Sequence, residues 1–163
     1  MIAEAQDFTD ECEALHALLS PLSDADFERE TQFKSWTIND VMAHLHAGDV
    51  SAATTLLDPP AFEAAREKRM SARAAGESMP VYQRNATGNL KGHAILASWR
   101  ACAAKTAAVY AEAEPKQRVN WVGPDMSARS SITARLMETW AHAQAIYDVL
   151  GVERQESDRI KAI

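Results

Sequence analysis

Alanine recurs through almost every segment of this chain, while glycine is scarce, with six in 163 residues. The Val, Ile and Tyr residues do not alternate with polar ones as they would along a strand. Apolar residues instead return every three or four positions, and that period commits the chain to helices. A first helix is expected over about 3–19, with Phe8, Cys12, Leu15 and Leu19 on its apolar side and Pro21 ending it. In "LSDADFERET", Ser23 offers a cap for a short helical turn. A second helix follows Thr37, which has Asp40 three residues on as a shortened capping-box acid, and it stops at "DPP" after Leu57. Residues 61–75 read as a charged, alanine-rich amphipathic helix, and "GESMPVYQRNATGN" reads as loop. A third long helix is expected over 91–113. "EPKQRVNWVGPDMS" then connects to a fourth over 128–150, with Ser127 as its cap and Gly151 as its stop.

Four long helices joined by loops of mixed length imply an all-α four-helix bundle, with the helix at 61–75 as a short extra helix in a crossover. The bundle domain takes residues 1–151. Residues 152–163 read either as a C-terminal tail or as the start of a missing second segment, with Ser157 as the cap of a helix that begins at "DRIKAI". The formal charge of −6 and the absence of a basic cluster disfavour a nucleic-acid partner. The start "MIAEAQDFTDECEAL" has no basic n-region of a signal peptide, and no apolar run approaches the roughly 20 residues a membrane span needs. A cytoplasmic protein is the expectation. Cys12 and Cys102 are too few and too isolated for a disulfide framework or a Cys-x-x-Cys site.

The chemistry concentrates in "METWAHAQ". Glu138 and His142 are four residues apart and share a helix face with Ser131, Ala134, Ala145 and Val149. Leu136, Trp140, Tyr147 and Leu150 cover much of the remaining surface, so the carboxylate is enclosed and needs a partner. The pair is either an ordinary helix-surface ion pair or half of a metal site. On the second helix, His44 shares a stripe with Thr37, Asp40, Gly48 and Ser51, beside an apolar stripe of Ile38, Val41, Leu45, Ala52 and Leu56. Alone, His44 also reads as a hydrogen-bonded core histidine. Together, His44, Glu138 and His142 make the three-ligand set of a catalytic metal site with an open position. Asp40 either orients a ligand from behind or simply caps its helix. His46 falls on the opposite side of the helix and is expected in solvent, and His93 is expected at one end of the bundle. Arg84, Arg129 and Arg135 are candidates to hold a substrate carboxylate. Arg135, one turn before Glu138, is the best placed, unless it is a surface arginine.

The stretches "SWTINDVMAHLHAGD" and "METWAHAQAIYDVLG" resemble the DinB/YfiT-like metalloprotein superfamily. More narrowly, they are similar to the metal-binding N-terminal domain of mycothiol-dependent maleylpyruvate isomerases, and the likeness runs from the first helix to Gly151. The resemblance implies a bundle holding a divalent metal, usually zinc or nickel, through His44, Glu138 and His142. A glutamate at position 138 fits the isomerase branch better than relatives that use three histidines. It also implies a low-molecular-weight thiol such as mycothiol as a cofactor, and activities among thiol-dependent S-transfers and cis–trans isomerisations. The isomerases carry a second C-terminal domain, of which this chain has at most the start. Two readings stand: a metal-dependent enzyme that uses a thiol, and a non-catalytic metal- or ligand-binding module. Expected partners are a small-molecule substrate or thiol and, in a homodimer, a second copy of the chain.

Overall fold

Local capping chemistry sets where the helices begin and end. In the computed structural model, which describes residues 2–155 and 157–163, α1 spans Glu4–Leu19, α2 Ile38–Leu57, α3 Pro59–Ala74, α4 Met79–Ala86, α5 Gly92–Glu112 and α6 Ala128–Leu150. Short 3-10 turns occupy Asp26–Glu28 and Asp158–Ala162. Thr37 and Asp40 form a reciprocal capping box at the start of α2: Thr37 Oγ1 accepts from the Asp40 N–H at 3.1 Å, and the Thr37 N–H donates to Asp40 Oδ2 at 3.0 Å. Asp58 caps α3 by accepting from the Ala61 N–H at 3.0 Å, with prolines in the first turn, where no helical N–H is lost. Ser127 caps α6 through the Ser130 N–H, and Gly151 ends it at φ 68°, a left-handed turn that suits glycine.

The four long helices α1, α2, α5 and α6 form the bundle. α5 and α6 each pack against both α1 and α2, so α1 and α2 lie on one diagonal. Phe8, Leu15, Leu19, Leu45, Trp99 and Leu136 are among the buried side chains that fill the centre. No helix among the described residues is long and apolar enough to cross a membrane.

Three expectations need correcting. The crossover from α2 to α5 carries two helices, because α4 occupies part of the stretch read as loop. Its Pro80 lies in the first turn, so the proline begins the helix rather than breaking it. The connection before α6 contains a two-residue antiparallel ladder, β1 Arg118–Val119 with β2 Met126–Ser127. Ser157 makes no side-chain cap on the last turn.

The tail folds back onto the bundle. Arg154 donates to the Trp140 carbonyl at 2.7 Å and lies over the Trp140 and Tyr147 rings. Arg154 and Arg159 both engage Glu11 of α1, whose carboxylate is buried and would otherwise stand uncompensated in the core.

Candidate metal centre

The helical phase of α6 brings Glu138 and His142 onto the face turned toward α2, where His44 meets them. Glu138 Oε2 lies 3.2 Å from His44 Nε2 and 3.3 Å from His142 Nε2. One donor atom from each residue falls within 4.8 Å of the others, and no other His, Cys, Asp or Glu trio gathers this closely among the described residues. Two donors bound to one tetrahedral ion at about 2.0–2.2 Å sit about 3.4 Å apart. The observed spacing therefore fits shared coordination without rearrangement of the backbone. Two neutral imidazoles and a carboxylate also suit a borderline divalent ion and leave further positions open.

The two imidazoles donate to Glu138 and hold its carboxyl far below the usual carboxylate range. His142 has the larger effect, burial opposes both, and the Arg135 charge assists. Glu138 is thus ionised at neutral pH. His44 is kept in orientation from behind by the Gln83 amide on α4, whose Nε2 is 3.0 Å and Oε1 3.3 Å from His44 Nδ1. The amide donates to a bare Nδ1 and, turned over, accepts from a protonated one. It therefore supports the ring whether Nε2 carries a proton or is engaged as a ligand.

An aromatic wall shields the other side. Trp36 stacks on His142 with ring centres 6.2 Å apart and planes within 4°, and Phe33 meets the same ring edge-on at 4.8 Å. Both project from a tight loop just before α2, in which Lys34 and Ser35 adopt φ of 54° and 55°. Left-handed backbone at two non-glycine residues costs roughly 1–2 kcal/mol each. The loop is held by Thr31, whose N–H and hydroxyl both donate to the Trp36 carbonyl, at 2.8 and 2.9 Å.

Beside the donors opens a cavity of about 420 Å³ between α2, α3, α4 and α6, lined by His44 and Glu138 together with Phe62, Tyr82 and Trp121. Arg135 lines it too, but is buried: its Nε donates to Asp49 Oδ1 at 2.8 Å, and Nη2 to the Leu45 carbonyl at 3.3 Å. Asp49 is fully buried and also accepts from the Trp99 indole at 3.0 Å. The Arg135 guanidinium lies directly on the backbone of Gly48, in space a side chain there would fill.

The remaining candidates lie elsewhere. Asp40 turns its carboxylate to the Thr37 cap and to Arg84, and makes no hydrogen bond to His44 among the described residues. Arg84 is thereby committed to Asp40, and Arg129 faces Glu4 at 3.5 Å; neither lines the cavity. His93 pairs with Asp24 at the start of α5. His46 is not in solvent: it is half-buried, with Nε2 2.9 Å from Ser98 Oγ on α5, because α5 covers the face that phase alone left open. Sequence reasoning assigns no place at the site to Gln83, Phe33 or Trp36. The aromatics precede the Thr37 cap directly and were visible there as a cluster. Gln83 lies in a segment whose glycines and proline read as loop.

Residues 8–147 match the family described as the mycothiol maleylpyruvate isomerase N-terminal domain. The chain belongs to this family. It is 32% identical over 160 residues to an uncharacterized protein found in two strains of Mycobacterium tuberculosis, covering 96% of this chain and 60% of the relative. The crystal structure of the mycothiol-dependent maleylpyruvate isomerase superposes with a TM-score of 0.68 at 16% identity, over 98% of this chain and 64% of that one. A histidine-to-alanine mutant of that isomerase superposes with a TM-score of 0.67 at 15% identity. These likenesses establish the shared fold. The chain spans about 60% of the length of the curated relatives it matches.

Proposed function

We propose that this domain holds a divalent ion, zinc or nickel, through His44, Glu138 and His142, and uses it with a low-molecular-weight thiol such as mycothiol in an isomerisation or S-transfer. The observation that carries the reading is the convergence of three donors, two of which, His44 and Glu138, line a cavity large enough for a small organic molecule. When bound, the ion would supply a Lewis-acid centre that favours the thiolate form of a coordinated thiol at neutral pH.

The chain's own thiols fit a role for an outside thiol. Cys12 is buried and its pKa is pushed up by that burial, and burial also raises Cys102 to about 11. Neither is a thiolate at neutral pH. A thiolate adding to one carbon of an electron-poor double bond moves the π pair onto the conjugated carbonyl. The remaining single bond rotates, and return of the pair expels the thiolate unchanged. In such a sequence Glu138 stays ionised and fixes the two imidazoles, Trp36 and Phe33 keep water from one side, and Gln83 holds His44. Asp49 neutralises Arg135, so toward the cavity Arg135 contributes a hydrogen-bonding edge to a substrate carboxylate rather than a free charge. Asp40 serves the site at a distance, by holding Arg84 and with it the helix that carries Gln83. A cytoplasmic setting and a homodimer are compatible parts of the reading, and both free cysteines suit a reducing compartment.

Elemental analysis of protein purified without added metal, followed by thiol titration of the cobalt-substituted form, tests this. About one ion per chain and a thiol-dependent sulfur-to-cobalt charge-transfer band are expected. Bound metal that no thiol perturbs would leave a non-catalytic metal- or ligand-binding module, and absence of metal would remove both readings.

A further inference from the structure

Three cations line the cavity: Arg66, Arg69 and Arg135. Two of them are neutralised. Arg66 donates to Glu63 at 2.9 Å, and Arg135 is locked to Asp49. Arg69, on α3, is half-buried and has no carboxylate partner among the described residues. Its neighbours make that position worse: Arg66 and Arg73 lie one turn away on the same helix, and their like charges add to burial in pulling its pKa down, with only Tyr82 acting the other way. A partly desolvated guanidinium without a counter-ion is an expensive arrangement for a chain to keep. Among the described residues Glu138 is the only carboxylate lining the cavity, and the two histidines already engage it.

We propose that Arg69, with Tyr82 in the same cavity lining, is an anion subsite that receives the carboxylate of a ligand whose apolar body fills the cavity between α3 and the His44–Glu138 pair. Charge and shape together point to this ligand class. With a divalent ion at the donors, the ion's two positive charges and that of Arg69 outweigh the single negative charge of Glu138. A thiolate at one end and a carboxylate at the other restore the balance. Phe62, Ala65, Ala86 and Trp121 supply an apolar lining for the part between them. The carboxylate is carried either by the thiol itself or by the electrophile bound beside it. The inference rests on the thiol reading only for the far end of the ligand; the carboxylate end is carried by the α3 wall.

The experiment uses the metal-loaded full chain and two sets of probes. In the first, ω-mercaptocarboxylates of increasing length are compared with ω-mercaptoalcohols of the same lengths, read by the charge-transfer band of the cobalt form. At the length that spans the cavity, the carboxylate should bind about tenfold tighter than the alcohol, the size of one charge-assisted hydrogen bond. In the second, straight-chain alkanoates are titrated calorimetrically into zinc-loaded protein saturated with a short mercaptoalcohol, which places thiol and carboxylate on separate molecules. Arg69→Gln should abolish the carboxylate preference in whichever arm shows it, leave mercaptoalcohol binding and metal content unchanged, and be partly rescued by Arg69→Lys. Arg66→Gln should have a smaller effect, because Glu63 already neutralises that charge. A carboxylate preference absent from both arms, or equal in wild type and Arg69→Gln, overturns the subsite. Failure of every thiol to perturb cobalt would instead count against the thiol reading, and the alkanoate arm, repeated without mercaptoalcohol, would still decide the role of Arg69.

Discussion

At the scale of single residues, the site depends on side chains that touch its three donors from behind. Gln83 is buried and sits against His44 Nδ1, so Gln83→Leu leaves that nitrogen without a partner and frees the ring to turn. Loss of such an outer partner lowers metal affinity by about 10–100-fold. Competition with a chromophoric chelator should show a fall in that range, and unchanged affinity would mean that packing alone holds the ring. Gly48 gives a second prediction. A Cβ there would stand 2.5 Å from Arg135 Nη1. Alanine normally favours a helix interior by about 1 kcal/mol over glycine. Here the guanidinium is pinned to Asp49 and the Leu45 carbonyl and cannot swing aside without unpairing a buried carboxylate, at a cost of about 3–5 kcal/mol. Gly48→Ala should therefore destabilise the fold by a net of about 2–4 kcal/mol in urea unfolding. A stabilised variant would show that Arg135 moves freely. The donor set itself was legible in the sequence, since i and i+4 on one helix and a histidine beside an apolar stripe on another follow from helical geometry. The environment of Arg135 was not, because Asp49 meets it only through the packing of α2 against α6.

At the scale of elements, α4 is inconspicuous in the sequence, yet it stands directly behind one of the donors. Gly76, Pro80, Gly88 and Asn89 punctuate its surroundings, which is why the segment reads as loop. Eight residues of helix are marginal alone. Tertiary anchors hold them: Arg84 on Asp40, and Gln83 on His44. Arg84→Ala should speed hydrogen exchange across α4 while leaving α1 and α5 protected, and should weaken metal binding less than Gln83→Leu does. Exchange in α4 as slow as in the wild type would place its stability in apolar packing instead. The burial of His46 has the same origin. Helical phase states which residues share a face, but whether a neighbouring helix covers that face is decided by the bundle, where Ser98 of α5 meets the ring.

For the whole molecule, the ion would join α2 to α6, while the core that fills the bundle does not depend on it. Phe8, Leu15, Trp99 and Leu136 are buried and lie away from the donor set. Chelation should leave far-UV helicity intact. It should lower Tm by about 5–10 °C relative to protein with ion at a hundredfold excess over its Kd, the shift that about 2.7 kcal/mol of binding linkage produces in a domain this size. Complete unfolding on chelation would make the site structural and favour the binding module. Four long helices, their caps at Thr37 and Ser127, the stop at Gly151 and the stripes that carry His44, Glu138 and His142 follow from the sequence alone, because each depends on neighbours within about one helical turn. Packing between elements alone sets α1 and α2 on a diagonal, pairs Arg135 with Asp49, stands Gln83 behind His44 and leaves Arg69 facing the cavity with no counter-ion among the described residues. Those pairings join residues far apart in the chain, and they exist only once apolar burial has chosen which faces meet.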